Sequence, residues 1–267
     1  MNTHTRQRRH CQHGFSLIEM ITVVAILTLV MGAVFTQIIT VQQRYRGEES
    51  KLDIAQESRE FLDQMVRDLH QAGYPTQRIY GSGVLASPAA NDQRVAANLV
   101  KYAYNDLWFE GDVDGDGQVE VVRYTLNAPG GTCPCTIQRS QAKKLNATAP
   151  LAQTSTNYAT ELQNVVNSGG SGGTKTNGAF GVSGTGPGGA SNETLYGGLE
   201  GPYIFLAFDA AGNAVAPTDI ATNAAALASI RSIQITINVL AKQTASDLQT
   251  GRRPAISMTA AARITNF

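Results

Sequence analysis

Histidine is nearly missing from the body of the chain. Of the four in 267 residues, His4, His10 and His13 fall within the first 13 positions, leaving His70 alone thereafter. A histidine-rich metal site or a two-histidine catalytic centre therefore has no material to form from. Cysteine is as scarce: Cys11, Cys133 and Cys135 are too few for a disulfide scaffold. Neither sign of charge is in surplus, since Lys plus Arg and Asp plus Glu each number 21. That balance argues against a nucleic-acid binder, a class that carries a basic excess. Charged residues make up only 16% of the chain while 26 residues are glycine, which points to a loop-rich, β-leaning body. The length fits one large domain or two small ones.

What the chain does have is concentrated at its start. Residues 1–14 hold Arg6, Arg8 and Arg9 and no acid, and Glu19 is the only charge between Phe15 and Arg44. The run FSLIEMITVVAILTLVMGAVFTQIITVQQ is long enough, at about 1.5 Å per residue, to span a hydrocarbon core about 30 Å thick as a helix. Basic residues before the run and none directly after it place the N-terminus in the cytoplasm and the rest outside. An ordinary secretory signal has a shorter apolar core and a small-x-small cleavage site, for which only Met31–Ala33 offers a weak candidate. A plain membrane anchor leaves Glu19 unexplained, because an acid in lipid costs about 2.5–3.5 kcal/mol on insertion scales. Snorkelling to the interface lowers that cost without removing it.

Taken together, Gly14-Phe15-Ser16-Leu17-Ile18-Glu19 resembles the class III signal of type IV pilins and type II secretion pseudopilins: basic leader, Gly at the cut, hydrophobic first mature residue, Glu at its fifth position. The resemblance implies cleavage between Gly14 and Phe15 by a prepilin peptidase, with methylation of the new Phe15 amine. It also implies that the chain waits in the inner membrane as a single-span protein and then joins other pilins or pseudopilins in an extracellular filament. In that family the acid pairs with the N-terminal amine of a neighbouring subunit, here Glu19 with Phe15 N, an ion pair that fixes axial register in a low-dielectric core. Once the leader is gone, 18 basic residues face 21 acids.

Beyond Gly47 the chain turns polar but keeps a helical period. Leu52, Ala55, Leu62, Val66 and Leu69 recur at spacings of three, four and seven, and Phe61 and Met65 widen the stripe. Gly73 and Pro75 supply the stop. One helix from about Phe15 to Ala72, with possible bends near Gly32 or Gly47, has a length of roughly 85 Å. His70 reads as a half-exposed helix residue.

After Pro75 the alternating segments are strands: Val100, Tyr102 and Tyr104; Val122, Tyr124 and Leu126; YIFLAF at 203–208; Ile233, Ile235, Ile237 and Val239; and a last one from Ile256 and Met258 to Ile264. Helix first and strands after it predict an α+β fold, a long N-terminal helix packed on an antiparallel sheet. Pilin-family folds have this build. The expected domains are a leader (1–14), a membrane-spanning and filament-core helix (15–43), its amphipathic continuation (44–74) and a β-rich head (75–267) with a Gly-rich insertion (168–201). In that insertion 13 of 34 residues are glycine, a flexible composition. It contains a G-x-S-x-G string at 169–173 and a G-x-G-x-x-G string at 184–189. Neither has the strand–turn–helix or βαβ setting its chemistry needs.

The most specific pattern in the head is Asp112-Val113-Asp114-Gly115-Asp116-Gly117-Gln118-Val119-Glu120. Alternate carboxylates in a D-x-D-x-D-G run converge on a hard cation, and Gly117 permits the sharp turn. The twelfth position is Arg123 where an EF-hand has Glu, and no exiting helix is expected. The segment thus resembles the compact calcium loops of extracellular β proteins, with Glu120 as replacement ligand and Gln118 giving its backbone carbonyl to Ca²⁺. The alternative is a bare Asp-Gly hairpin turn with solvated acids. Cys133-Pro134-Cys135 lacks the C-x-x-C spacing of zinc sites, and it forms either a tight disulfide or free or intermolecular thiols. Cys11 leaves with the leader.

The C-terminal composition, with IRSIQITINV and GRRP, looks like the larger W-type minor pilins, and next to them the J-type pseudopilins. The resulting expectation is a non-catalytic minor pilin near a filament tip, with assembly, priming or adhesion as its role. A secretion pseudopilin is the first alternative and a membrane-anchored extracellular enzyme or binding module the second. Prepilin peptidase, other pilins or pseudopilins and the inner membrane are the implied partners.

Overall fold

The computed structural model describes residues 16–81, 83–127, 134–153, 157–167, 203–242 and 255–265. The chain divides after Arg46 into two units, and helix α1 (Leu17–Gln71) contributes residues to both. The leader, Phe15, the Gly-rich insertion with its two glycine strings, and Cys133 lie outside the described residues.

In the second unit α1 runs to Gln71 and stops where the sequence says it should. Gly73 adopts the left-handed backbone (φ 81°) that closes helices, and its N–H donates to the Glu110 carbonyl (2.8 Å). The face that α1 buries is not centred on the stripe expected from sequence. Ile54, Ser58, Phe61, Leu62, Met65, Asp68 and Leu69 are buried, whereas Leu52 is 66% exposed. The buried face instead runs through Ile54, Phe61 and Asp68, and Asp68 meets a cation on the sheet, as described below. His70 is exposed.

Among the described residues the sheet has nine strands, antiparallel throughout. Its strands are β1 (Leu99–Ala103), β2 (Asp106–Gly111), β3 (Glu120–Asn127), β4 (Cys135–Lys143), β5 (Tyr158–Val165), β6 (Phe205–Phe208), β7 (Thr218–Asp219), β8 (Ser232–Leu240) and β9 (Ala255–Arg263). The order is β6-β8-β5-β4-β3-β2-β1-β7, with β9 paired along β8. The core lies between the buried face of α1 and one face of this sheet, where Phe61 packs edge-on against Tyr124 at 6.0 Å. Val122, Tyr124 and Leu126 all enter that core, as do Ile233, Ile235, Ile237 and Val239, as period-two alternation requires. This is the expected α+β, pilin-like build.

On the other face of β1–β3 lies a smaller cluster of Val100, Trp108 and Val121. Leu151, from a single 3₁₀ turn (Pro150–Ala152), and Ile220 of a second helix cover it. That helix, α2 (Ile220–Ser229), starts at Asp219, whose carboxylate accepts from the N–H groups of Ala221 and Thr222. Such side-chain acceptors satisfy amides that a helix start leaves open. Asn223 breaks its backbone (φ −155°, ψ 78°), and its side-chain oxygen accepts from Ala226 N at 3.0 Å.

Candidate functional site

Two regions carry the residues singled out by sequence. In the first, every residue from Ser16 to Ile39 is exposed, including Leu17, Ile21, Val24, Leu27 and Phe35. The helix is apolar and long enough to cross a membrane, with none of its most apolar window buried within the chain. Its hydroxyls are satisfied from inside the helix: Thr36 donates to Gly32 O and Thr40 to Thr36 O, each at 2.9 Å, and Thr28 donates to Val24 O. That back-bonding is what polar side chains do where no water is at hand. Glu19 sits exposed in the first turn, where its charge also favours the positive end of the helix dipole. No salt bridge involves it among the described residues. Gly14 and Phe15, the expected cleavage pair, fall outside the described residues.

The second region is the loop joining β2 to β3. Asp112, Asp114 and Asp116 each bring one carboxylate oxygen to within 4.8 Å of the others. Gly115 and Gly117 both take left-handed backbone (φ 75° and 83°), so the chain can wrap around the Asp112 carboxylate. That carboxylate accepts from Gly115 N at 2.8 Å and from Gly117 N at 3.0 Å. Asp114 accepts from Asp116 N, and Asp116 accepts from Gln118 N and from the Gln118 side-chain amide. Asp116 also has the exposed Lys143 at 3.5 Å.

Glu120 opens β3 directly opposite Gly111. It is 2% exposed, and its Oε2 accepts from Val113 N at 3.1 Å. Its Oε1 is buried and has no hydrogen-bond partner among the described residues. Burial, and then the charges of Asp114, Asp116 and Asp112, push this carboxyl up to about 7, against the pull of the Val113 amide. Arg123, at the twelfth position, is committed elsewhere: its guanidinium forms a fork with Asp106 at 2.7 and 2.9 Å. A strand leaves the loop rather than a helix.

Sequence reasoning missed two buried ionic clusters that hold these parts in place. Lys144 and Glu110 are both fully buried and lie 2.6 Å apart. Lys144 Nζ also donates to the carbonyls of Ala90 and Val95, and Glu110 accepts from Ala97 N. Burial pushes the Glu110 carboxyl up, and Lys144 opposes the shift. The backbone of this pair ties the end of α1 to β2, through Gly73 N to Glu110 O, and holds the last loop residue, through Lys144 N to Val119 O. The second cluster docks α1 on the sheet: Asp68 accepts from Tyr124 OH at 2.7 Å and pairs with Arg139 at 2.9 Å. Asp68 follows Phe61 by seven, and a charge at a core-facing helical position was the available signal. Cys135 is buried and disulfide-bonded; its expected partner, Cys133, lies outside the described residues.

A family model described as the prokaryotic N-terminal methylation motif matches residues 9–35. The match takes in Gly14, Phe15, Glu19 and most of the exposed apolar run. It supports a type IV pilin-like protein or a pseudopilin, with the chain held in the membrane by its N-terminus. Searches of curated proteins and of solved structures found no match.

Proposed function

We propose that this chain is a non-catalytic minor pilin of the W type, matured by a prepilin peptidase that cuts between Gly14 and Phe15 and methylates the Phe15 amine. It then leaves the inner membrane for a type IV pilus, where it sits at or near the tip and serves in assembly, priming or adhesion. The observation that carries the reading is the helix surface from Ser16 to Ile39, which is apolar, exposed among the described residues and marked by one acid at Glu19. Lipid covers such a surface before assembly and other pilin helices cover it afterwards. In lipid Glu19 carries a penalty of about 2.5–3.5 kcal/mol. A neighbouring subunit's terminal amine removes it, so the same side chain that is costly in the membrane favours docking onto the filament.

N-terminal sequencing and mass measurement of the protein recovered from sheared filaments test this directly. The expected product begins at N-methylated Phe15. Polymerised material that still carries residues 1–14 overturns the reading. Glu19→Ala is expected to insert into the membrane as the parent does but to be strongly depleted from filaments. Normal incorporation removes the pairing role.

A further inference from the structure

Strand β9 (Ala255–Arg263) lies at an edge of the sheet: among the described residues it pairs with β8 alone. That pairing runs in unbroken register from Ser232 opposite Arg263 to Leu240 opposite Ala255. Sheet edges are ordinarily kept from pairing with other chains by shortness, charge, proline or a bulge. β9 is nine residues long, has no proline and carries one charge, Arg263, at its last position. Which backbone groups face outward follows from β8. Thr236 N donates to Ile204 O, and Asn238 O accepts from Val166 N, both on the side away from β9. In an antiparallel ladder the N–H and C=O of one residue point the same way, and successive residues alternate. The even-numbered residues of β8 therefore turn away from β9. Their opposite numbers, Ser257, Thr259 and Ala261, direct N–H and C=O to the open edge.

The side chains of this edge fit a copy of the same strand. Laid antiparallel about Thr259, the strand sets Ser257 opposite Ala261 and Thr259 opposite its own copy, so outward groups meet outward groups and each pair exchanges both hydrogen bonds. On the face toward α1, Ile256 and Met258 are only half-buried. They fall opposite Ala262 and Ala260, large against small on both sides of the two-fold axis. On the other face the hydroxyls of Thr236 and Thr259 meet at 3.2 Å, and Thr259 of the second copy extends that row, a favourable cross-strand pair. Arg263 lies opposite Ala255, so the one charge meets no like charge. We propose that two copies of this chain pair through β9, antiparallel about Thr259, into one continuous sheet. Such a contact uses the same patch on both copies and closes on itself, so it stops at a dimer.

The test uses the full chain in detergent. At about 100 µM, above the micromolar constants of weak specific interfaces, sedimentation should show a dimer. Thr259→Pro removes an outward N–H from each copy and spares the β8 ladder, as edge strands tolerate. It should weaken the dimer at least about tenfold. Thr259→Lys alters an exposed side chain and sets two ammonium groups directly opposite each other. It should weaken the dimer too, while melting as the parent does once both are diluted to monomer. Opposed Cα atoms of a hydrogen-bonded pair lie about 5.5 Å apart, within disulfide reach. In a Cys11→Ser background, Thr259→Cys should therefore cross-link two chains on mild oxidation. Ser257→Cys, about 14 Å from its copy at about 3.4 Å per residue, should not. A monomeric parent, the result if a segment of the same chain covers the edge, overturns the pairing. So does a dimer that Thr259→Pro and Thr259→Lys both leave intact, as association through α1 would be, or cross-linking of Ser257→Cys equal to that of Thr259→Cys.

Discussion

Removing the amine of Lys144 probes how the acidic loop is held. The side chains of Lys144 and Glu110 are both fully buried. Nζ makes three short bonds, to Glu110 at 2.6 Å and to the carbonyls of Ala90 and Val95 at 2.7 Å each. Lys144→Met keeps much of the stem's volume but deletes all three bonds. It also leaves the Glu110 carboxylate uncompensated, with only Ala97 N among the described residues to bond it. Breaking a buried pair from one side costs about 3–5 kcal/mol. Against a total stability of about 5–15 kcal/mol for an ordinary domain, that is a large fraction. For a body of this size the melting temperature should drop by roughly 6–20 °C, at about 2–4 °C per kcal/mol. Trp108 is the only tryptophan and lies on β2 two residues from Glu110, so its fluorescence reports urea unfolding at the site. Glu110→Gln in the Lys144→Met background removes the orphaned charge while keeping an acceptor for Ala97. It should recover at least about half of the loss. If the double variant is as unstable as the two single losses added together, the orphaned charge is not what costs stability and the reasoning fails.

Two further outcomes follow from close contacts elsewhere. A Cβ at Gly111 would lie 2.5 Å from the Gln71 carbonyl oxygen and 2.9 Å from its carbon. Gly111→Ala should therefore push helix end and hairpin apart and cost about 1–3 kcal/mol, measured by urea midpoint; an unchanged midpoint refutes the contact. Asp92 accepts from Arg94 and from the N–H groups of Arg94 and Ala86. These bonds, the Arg94 side chain first, hold its carboxyl well below the usual carboxylate range. A depressed carboxylate stabilises above its unfolded pKa, and that stability is lost as pH falls through the folded value. The gap in melting temperature between parent and Asp92→Asn should be widest near neutrality and shrink toward about pH 2. A gap independent of pH contradicts the assignment.

How much of this was legible depended on which faces an element buries. Strands with one buried face announced themselves: Val122, Tyr124 and Leu126, and the isoleucines of β8, alternate as a half-buried strand must. β2 did not, because all six of its residues are buried. With both faces covered, Asp106 and Glu110 stand inside as ion-paired acids where alternation would place exposed ones. Val100 and Tyr102 were read as neighbours on one face. A register irregularity between Leu99 and Lys101 sends Val100 to the smaller cluster and Tyr102 to the main core, and a bulge leaves no mark in the apolar pattern. β4 and β5 were hidden for a third reason. Their outward residues are polar and their inward ones sparse, so the pattern is too diluted to read. Leu52 was misplaced because the buried face runs through Ile54, Phe61 and Asp68, each seven apart, and Asp68 as a charge was left off it. The acidic loop was legible in its aspartates, since D-x-D-x-D-G carries its turn chemistry with it. What sequence could not supply was the burial of Glu120, one of whose oxygens has no partner among the described residues.

The two halves of α1 meet the same physical demand, apolar surface to be kept from water, in opposite ways. From Ile54 to Leu69 the apolar face is closed by the chain's own sheet, and a charge on that face, Asp68, finds its cation within the fold. From Leu17 to Ile39 none of the described residues covers the helix. An apolar surface of this extent exceeds what a soluble monomer exposes, so its cover must come from outside. The one charge there, Glu19, lacks an ionic partner among the described residues. Lipid supplies cover but no cation, whereas a second copy or relative of this helix, cut to expose an amine, supplies both. On the proposed pilin reading, the same logic that places Asp68 against Arg139 inside the body gives Glu19 its partner on another chain. On that reading Glu19, rather than the length of the apolar run, is the residue whose substitution tells an assembling subunit from a plain anchor.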